Sequence, residues 1–460
     1  MSKQDTQAKP RVVHIRIGGR KATLTWRPRK RLSGLLLRMM SRAREALVAA
    51  ILAGATGSVF AAPPAVNALP TGGQVVAGQA TITQAGNGMT VVQGTDKAIL
   101  NWGSFNIGSQ ASVDFKQPGM GSVALNRVVG NDASQIFGSL TANGSVFLVN
   151  PNGVMFGAGA RVDVGGLVAS TLNIKDDDFL KGNYRFARDG ATGSVVNQGE
   201  LHAADGGYVA LLAPEVLNEG VVSAKLGTVA MAAGETITLD MAGDGLVGVK
   251  VDPATVRALV ENRHLVQADG GRVIMAASAA NALLGASVNV QGTVQAQGLV
   301  ERNGEIYLDA GMNGDAVVAG KLDVSSATGK GGAVQVTGQR VGLFDGTDID
   351  AKGATGGGTV LAGGDWQGSN AAVANAQKTV VGHHVSIDAS ATAQGDGGKV
   401  VVWADGDTVF GGDITARGAR KAATAARSKC PARPSWPSRA RWTRARRKAN
   451  PARCCSIRRT

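Results

Sequence analysis

"VVNQGELHAADGGYVALLAPEVLNEGVVSA", residues 195–224, states one phrase twice. "VVNQGELHA" returns as "VLNEGVVSA", with Asn197 and Asn218 21 residues apart. Between them "DGGYVALLA" places apolar residues two apart behind a Gly-Gly turn, the period of a strand with one buried face. That phrase recurs along the chain, as "DGGRVIMAA" from Asp269, "NGEIYLDAG" from Asn303, "GGAVQVTG" from Gly331, "GGTVLAGG" from Gly357 and "DGGKVVVWAD" from Asp396. Self-similarity at a spacing of about 20 to 30 residues marks a solenoid, in which each unit buries its apolar face only against its neighbours.

The units show no helical period, no leucine-rich ladder and no Trp-Asp blade signature. Short strands with glycine corners predict an all-β chain folded as a right-handed parallel β-helix. A β-sandwich, with turn signals every 8 to 12 residues, is the competing all-β arrangement. Two stretches break the pattern. "NIKDDDFLKGNYRFARDG", residues 173–190, reads as an irregular insert, and "VDPATVRALVENRHLVQ", residues 251–267, reads as a short helical excursion from the shaft.

Composition agrees with many short strands: 65 of 460 residues are glycine and aromatics are few. The formal net charge of +14 would suggest a nucleic-acid or membrane partner if it were spread over the molecule. It is concentrated at the two ends. Residues 1–62 carry +11 and residues 420–460 carry +14, so residues 63–419 carry −11. An acidic body argues against nucleic acid. The three cysteines, Cys430, Cys454 and Cys455, all lie near the C-terminal end, so no disulfide framework runs through the body.

A long basic segment ending "RPRKRLSGLLLRMMSRARE" precedes "ALVAAILAGATGSVFAA", an apolar run followed by small residues. That order is a secretory signal with an extended n-region, spanning residues 1–68, with cleavage after Ala61 or alternatively after Ala68. A transmembrane helix is the weaker reading, because the run is short, Gly/Ala-rich and lacks a charged stop. Export implies the Sec machinery and a signal peptidase.

"LVNPNGVMFG", residues 148–157, interrupts apolar sequence with a strong turn signal, since Pro presets φ and Gly accepts positive values. In a β-helix this is a corner, with Phe147, Val149, Val154 and Phe156 as core residues. Asn150 and Asn152 are placed to bond the neighbouring backbone.

Together with "LPTGGQVVAG" (69–78), "NWGSFNIG" (101–108), "VDFKQPG" (113–119), "ALNRVVG" (124–130) and the run from Ser134 to Ile174, this stretch resembles the secretion domain of two-partner secretion exoproteins, of the filamentous haemagglutinin-like and high-molecular-weight-adhesin-like kind. The resemblance implies an N-terminal cap in front of the β-helix, and places the secretion domain at residues 69–190 and the first shaft coils at 191–419. It implies a non-enzymatic exoprotein of a Gram-negative bacterium, exported through the periplasm, secreted or held at the cell surface. The implied partner is a dedicated outer-membrane β-barrel transporter whose periplasmic POTRA modules bind the unfolded domain, and strand addition suits the alternating segments. Adhesion to host-cell glycans or receptors is the implied parent role. Carried over, the secretion motif is Asn150, Pro151, Asn152 and Gly153, with Asn126 and Arg127 of "LNRV" as a second patch. An earlier Asn-Pro-Asn-Leu motif found in some members is missing. The corner has two readings: direct contact with the transporter, or a turn whose loss prevents folding.

No cofactor or metal is expected. His383-His384 lacks a third ligand at metal spacing, "ATGKGG" (327–332) is not a phosphate loop, and Asp176-Asp177-Asp178 reads as a solvated acidic loop before it reads as a calcium site. A β-helical polysaccharide-active enzyme is the alternative; it would need carboxylates and Arg/Lys clustered on one face of adjacent coils, and none stands out.

Residues 420–460 lose glycine and acids while Arg, Trp, Pro and Cys crowd in. A basic arm, a disordered tail and a shifted reading frame compete. In the neighbouring frame, with GC-rich codons, Lys421 to Ala426 becomes Gly-Gly-Asp-Gly-Gly, the language of the coils upstream. A frameshift near residues 417–420 is the expectation, which would truncate the shaft of a longer exoprotein, and the tail receives no function.

Overall fold

The computed structural model describes residues 11–17, 20–26, 62–241, 246–299 and 302–419. The apolar run of the signal, Ala61 and the tail from residue 420 lie outside the described residues. The chain divides into two units, Met1–Val59 and Phe60–Thr460. In the first, Arg11–Ile17 and Arg20–Trp26 pair as an antiparallel hairpin.

The second unit is a parallel β-helix. Each full coil lays down three strands in turn. Sheet 1 contains ten parallel strands, from Ser134–Ile136 through Val154–Phe156, Ser194–Asn197 and Glu215–Asn218 to Asp407–Phe410. Sheet 2 is built from the short strands after the next corner, among them Ser139–Ala142, Val221–Ala224, Lys321–Asp323 and Asp348–Asp350. Sheet 3 carries the glycine-led phrases, among them Ser145–Val149, Thr228–Ala233, Arg272–Ala277 and Lys399–Val402. Sheets 2 and 3 merge because Arg161–Ser170 and Glu200–Leu212 run through the corner between them, the second carrying the extra residues where Val164 and Gly166 pair with Ala203 and Tyr208. Parallel pairing on three faces leaves no room for a sandwich.

Register is strict. Leu148, Ala169, Leu211, Met231, Met275 and Leu308 lie side by side on successive coils of sheet 3 and point into the helix, fully buried. Burying such side chains contributes about 1.5–3 kcal/mol each for the larger ones. Because parallel strands are buried on the inside along their whole length, a slip of one residue would turn a column outward.

A cap closes the N-terminal end. Gln74–Ala77 pairs antiparallel with Lys97–Trp102, and Ala80–Ala85 pairs antiparallel with Gly88–Gln93. Trp102 fills the end of the core beneath them, packed edge-on against Phe105 at 5.4 Å.

Two insertions leave the solenoid and meet on the outer face of sheet 3. Asn173–Ile174, Tyr184–Ala187, Thr236–Asp240 and Gly248–Asp252 form a four-stranded antiparallel sheet, joined by the short helix Asp176–Lys181. Beneath it lies a second core: Ile99, Leu125, Phe147, Phe179, Phe186 and Ile237, all buried. This divides the four residues expected in one core. Val154 and Phe156 do face the interior of the helix, but Phe147 and Val149 point the other way, into the second core, while Val146 and Leu148 face inward.

The helical excursion expected at 251–267 is not present. The stretch is three strands, Gly248–Asp252, Ala258–Asn262 and Leu265–Gln267. Its apolar residues satisfy a helical period locally, yet Val260 and Asn262 lie between Val216 and Asn218 on one side and Val288 and Val290 on the other. A neighbouring column outweighs propensity.

Candidate functional site

The sequence motifs meet at one corner column, where sheet 3 hands the chain to sheet 1. Asn150 to Gly153 is a tight turn closed by the Gly153 N–H donating to Asn150 O at 3.1 Å. Pro151 sits at the second position, and Gly153 carries a φ of +128° that side-chain-bearing residues avoid. Asn150 is fully buried. Its Nδ2 donates to Asp132 O at 2.9 Å and Ser134 Oγ at 3.0 Å, and its Oδ1 accepts from the Asn152 N–H at 3.0 Å and Asn152 Nδ2 at 3.1 Å. With all its bonds made inside the corner, Asn150 ties this coil to the one before it. Pro151 and Asn152 are exposed, and Asn152 Nδ2 also reaches Gly130 O at 2.9 Å.

Above and below, glycines make the stacking possible. A Cβ on Gly130 would come 2.1 Å from Gly103 O, and one on Gly193 would come 2.5 Å from Gly153 N and 2.7 Å from Pro151 O. The column therefore runs Gly103, Gly130, Asn150–Gly153, Gly193. "NWGSFNIG", "ALNRVVG" and "NPNG", far apart in sequence, are consecutive storeys of one corner, and that convergence was not visible in the sequence.

Asn126 and Arg127 lie beside it, since Leu148 pairs with Asn126 and Val149 with Arg127. They face opposite ways. Asn126 is buried inside the helix, where Oδ1 accepts from Trp102 Nε1 at 3.0 Å and so anchors the cap. Arg127 points outward and holds the first insertion. Its Nε donates to Asn173 Oδ1 at 3.1 Å, and its Nη2 to Ile174 O at 2.6 Å and Asp176 Oδ1 at 2.7 Å. The Asp176 to Asp178 run is thus the first turn of a helix with Asp176 committed to Arg127, neither a loop nor a cation cage. Farther along the same insertion, Arg188 pairs with Glu235 at 3.1 Å. Burial alone would raise the Glu235 pKa, but Arg188 and the N–H and hydroxyl of Thr255 hold it below the ordinary carboxylate range.

The cluster required for an enzyme does occur, on sheet 2, where it escaped the sequence reading. Asp323, Asp350 and Asp388 are in register on adjacent coils, with Lys321 2.9 Å from Asp323 and Lys352 2.9 Å from Asp350. Each carboxylate accepts the N–H two residues on, from Ser325, Lys352 and Ser390, at 3.0 Å. Asp323 further accepts from Ser325 Oγ and Gln297 Nε2. Each of these aspartates fastens the corner that follows it, and Asp323 is the most heavily bonded of the three. His383 and His384 sit exposed on a turn, His384 Nδ1 3.5 Å from Asp345. Among the described residues no group of three or more His, Cys, Asp or Glu is placed to hold a metal ion, and no helix is long and apolar enough to cross a membrane.

A family model described as the TPS secretion domain matches residues 66–336. A heme/hemopexin-binding protein of Haemophilus influenzae is 35% identical over 301 residues, covering 63% of this chain and 32% of the relative. A second protein of that name and species is 31% identical over 299 residues, covering 59% of this chain and 31% of the relative. The crystal structure of the HMW1 secretion domain from Haemophilus influenzae is similar with a TM-score of 0.70 and 31% identity, over 76% of this chain and 91% of that one. The chain spans about a third of the length of the curated relatives it matches.

Proposed function

The chain belongs to the TPS secretion-domain family, that of two-partner secretion exoproteins, and from this premise we propose that residues 62 onward direct their own export through a dedicated outer-membrane transporter, with the corner at Asn150–Gly153 as the secretion motif. The carrying observation is that the motifs within the matched region build one corner column. We propose that the transporter's periplasmic POTRA modules read the chain before it folds, by strand addition. The product is then non-enzymatic, reaches the periplasm by the Sec route and folds at or beyond the outer membrane.

Signal cleavage belongs after Ala61. Residues 62–68 are in use in the folded domain: Gly108 N–H donates to Ala68 O at 2.9 Å and Gln110 N–H to Val66 O at 2.7 Å. Cleavage after Ala68 would remove both bonds, since both acceptors lie before the cut. N-terminal sequencing of the secreted product decides between the two.

The motif is tested by co-expressing the chain with its transporter and measuring protein in the medium beside the melting temperature. Asn152→Ala removes an exposed side chain, so lowered secretion with an unchanged melting temperature marks direct recognition. A parallel fall of both assigns the corner to folding alone. For the whole product we propose surface attachment to glycans or receptors. The relatives' names favour a second reading, binding of haem or hemopexin, which titration of the secreted product with haem, followed by its absorbance, would detect.

A further inference from the structure

Residues 173–187 are fastened to the solenoid without sharing its hydrogen-bond ladders. Their backbone bonds stay within the segment or go to Thr236–Asp240: Phe179 N–H to Lys175 O, Gly182 N–H to Phe179 O, Asn183 N–H to Asp178 O, and the antiparallel pairing of Tyr184–Ala187. Besides this ladder to the second insertion, what holds the segment to the coils is side-chain chemistry. Phe179, Tyr184 and Phe186 pack around Phe147, with ring centroids 5.8, 5.1 and 6.1 Å from it. Two cations on the first coils then reach up and grip the helix at both ends. Lys97 Nζ donates to Phe179 O at 3.0 Å and Leu180 O at 2.8 Å, carbonyls of the last helical turn, while standing 5.8 Å from the Phe179 and Tyr184 ring centroids. Arg127 takes the other end, through Asn173, Ile174 O and Asp176. A cation at the C-terminal carbonyls and a carboxylate in the first turn both complement the helix ends.

The coils beneath are complete without this segment. Lys97–Trp102 pairs with Val123–Val128 along its whole length, and Val123–Arg127 pairs with Ser145–Val149. We propose that residues 173–187 are a strap that lifts from the finished coils and closes again, with Lys97 and Arg127 as its latch. Opening uncovers the aromatic face around Phe147 while every coil stays wound. The latch residues are positioning residues, and Arg127 in the "LNRV" motif acts here by holding the strap.

Native-state hydrogen exchange on the full chain, followed by mass spectrometry through a denaturant series, tests this directly. Peptides covering Tyr184–Ala187 should open at lower denaturant than those covering Ser145–Val149 and Thr228–Ala233. Each latch cation makes charge-assisted bonds, so Lys97→Met or Arg127→Met should speed strap exchange by roughly tenfold or more and leave the coil peptides unchanged. Arg127→Lys should restore part of the protection. One shared protection for strap and coils in the unsubstituted protein overturns the proposal, and that result does not depend on any variant folding. Latch variants that leave strap exchange unchanged, or that lower strap and coil protection together, overturn it as well.

Discussion

The coils from residue 97 to 232 and those from 258 to 415 share a winding but differ in how their sheet 3 strands are used. In the first group both faces are buried: Val123–Val128 and Ser145–Val149 send alternate residues into the helix interior and into the core beneath the insertions. In the second group the outer face is mostly open. Ile274, Tyr307 and Gln335 follow one another in register there, half-buried, until Leu361 and Val401 meet Val373 and Trp403 under the loop at 363–377. The family match ends at residue 336, beyond the doubly cored coils. The difference teaches that one repeat can serve two purposes. The first coils carry enough apolar surface to stand as a folding unit, and the later ones need only a formed neighbour to pair with.

Substitutions can break this contrast. Phe147→Ala empties the centre of the second core and should cost about 3–5 kcal/mol, while Val336→Ala in a later coil should cost nearer 2 kcal/mol. Denaturant melts of the two variants should differ accordingly, and equal losses would dissolve the contrast. Gly193→Ala drives a methyl into the backbone of the Asn150–Gly153 turn and should cost about 1–3 kcal/mol by overpacking, read as a lowered melting temperature.

A smaller effect belongs to the later coils and to acid. Asp323 is nearly buried; burial pushes its pKa up, but Ser325, Lys321 and Gln297 together hold it below the ordinary carboxylate value. A depressed folded-state pKa gives stability that is present above the unfolded value, near 4, and is lost as pH falls through the folded one. Stability measured between pH 5 and pH 2 should therefore fall less steeply in Asp323→Asn than in the parent. An identical slope would remove Asp323 from the account. The smallest expected change in stability is that of Asn152→Ala, within about 1 kcal/mol because its side chain is exposed.

The winding was legible because repetition is written at the level of the strand: Asn197 and Asn218 announce a coil, and Gly-Gly followed by alternation announces sheet 3. The corner at Asn150 was legible for the same local reason. What sequence could not supply was which face of a strand is inside when both are apolar. "SVFLV" reads equally well either way, so Phe147 was assigned to the wrong core. The roles of Asn126 and Arg127 were hidden for a related reason, because adjacent residues on a strand point to opposite sides. Their partners come from different places, Trp102 from the preceding coil and Asp176 from the first insertion. The segment 251–267 misled because a helical spacing of apolar residues also fits short strands divided by turns.

Inside the coils, three buried asparagines hold hands in one direction. Asn197 Nδ2 donates to Asn218 Oδ1 and Asn218 Nδ2 to Asn262 Oδ1, each at 2.8 Å, and Asn262 Nδ2 passes on to Thr293 O at 3.1 Å. The first pair is separated by 21 residues and the second by 44, because an insertion intervenes. A chain that wound itself by counting residues would lose its place at that insertion. Here the count is kept by chemistry: each buried amide is satisfied by an amide or a backbone carbonyl of the next coil, so each asparagine is an index mark that tells an incoming coil where to start.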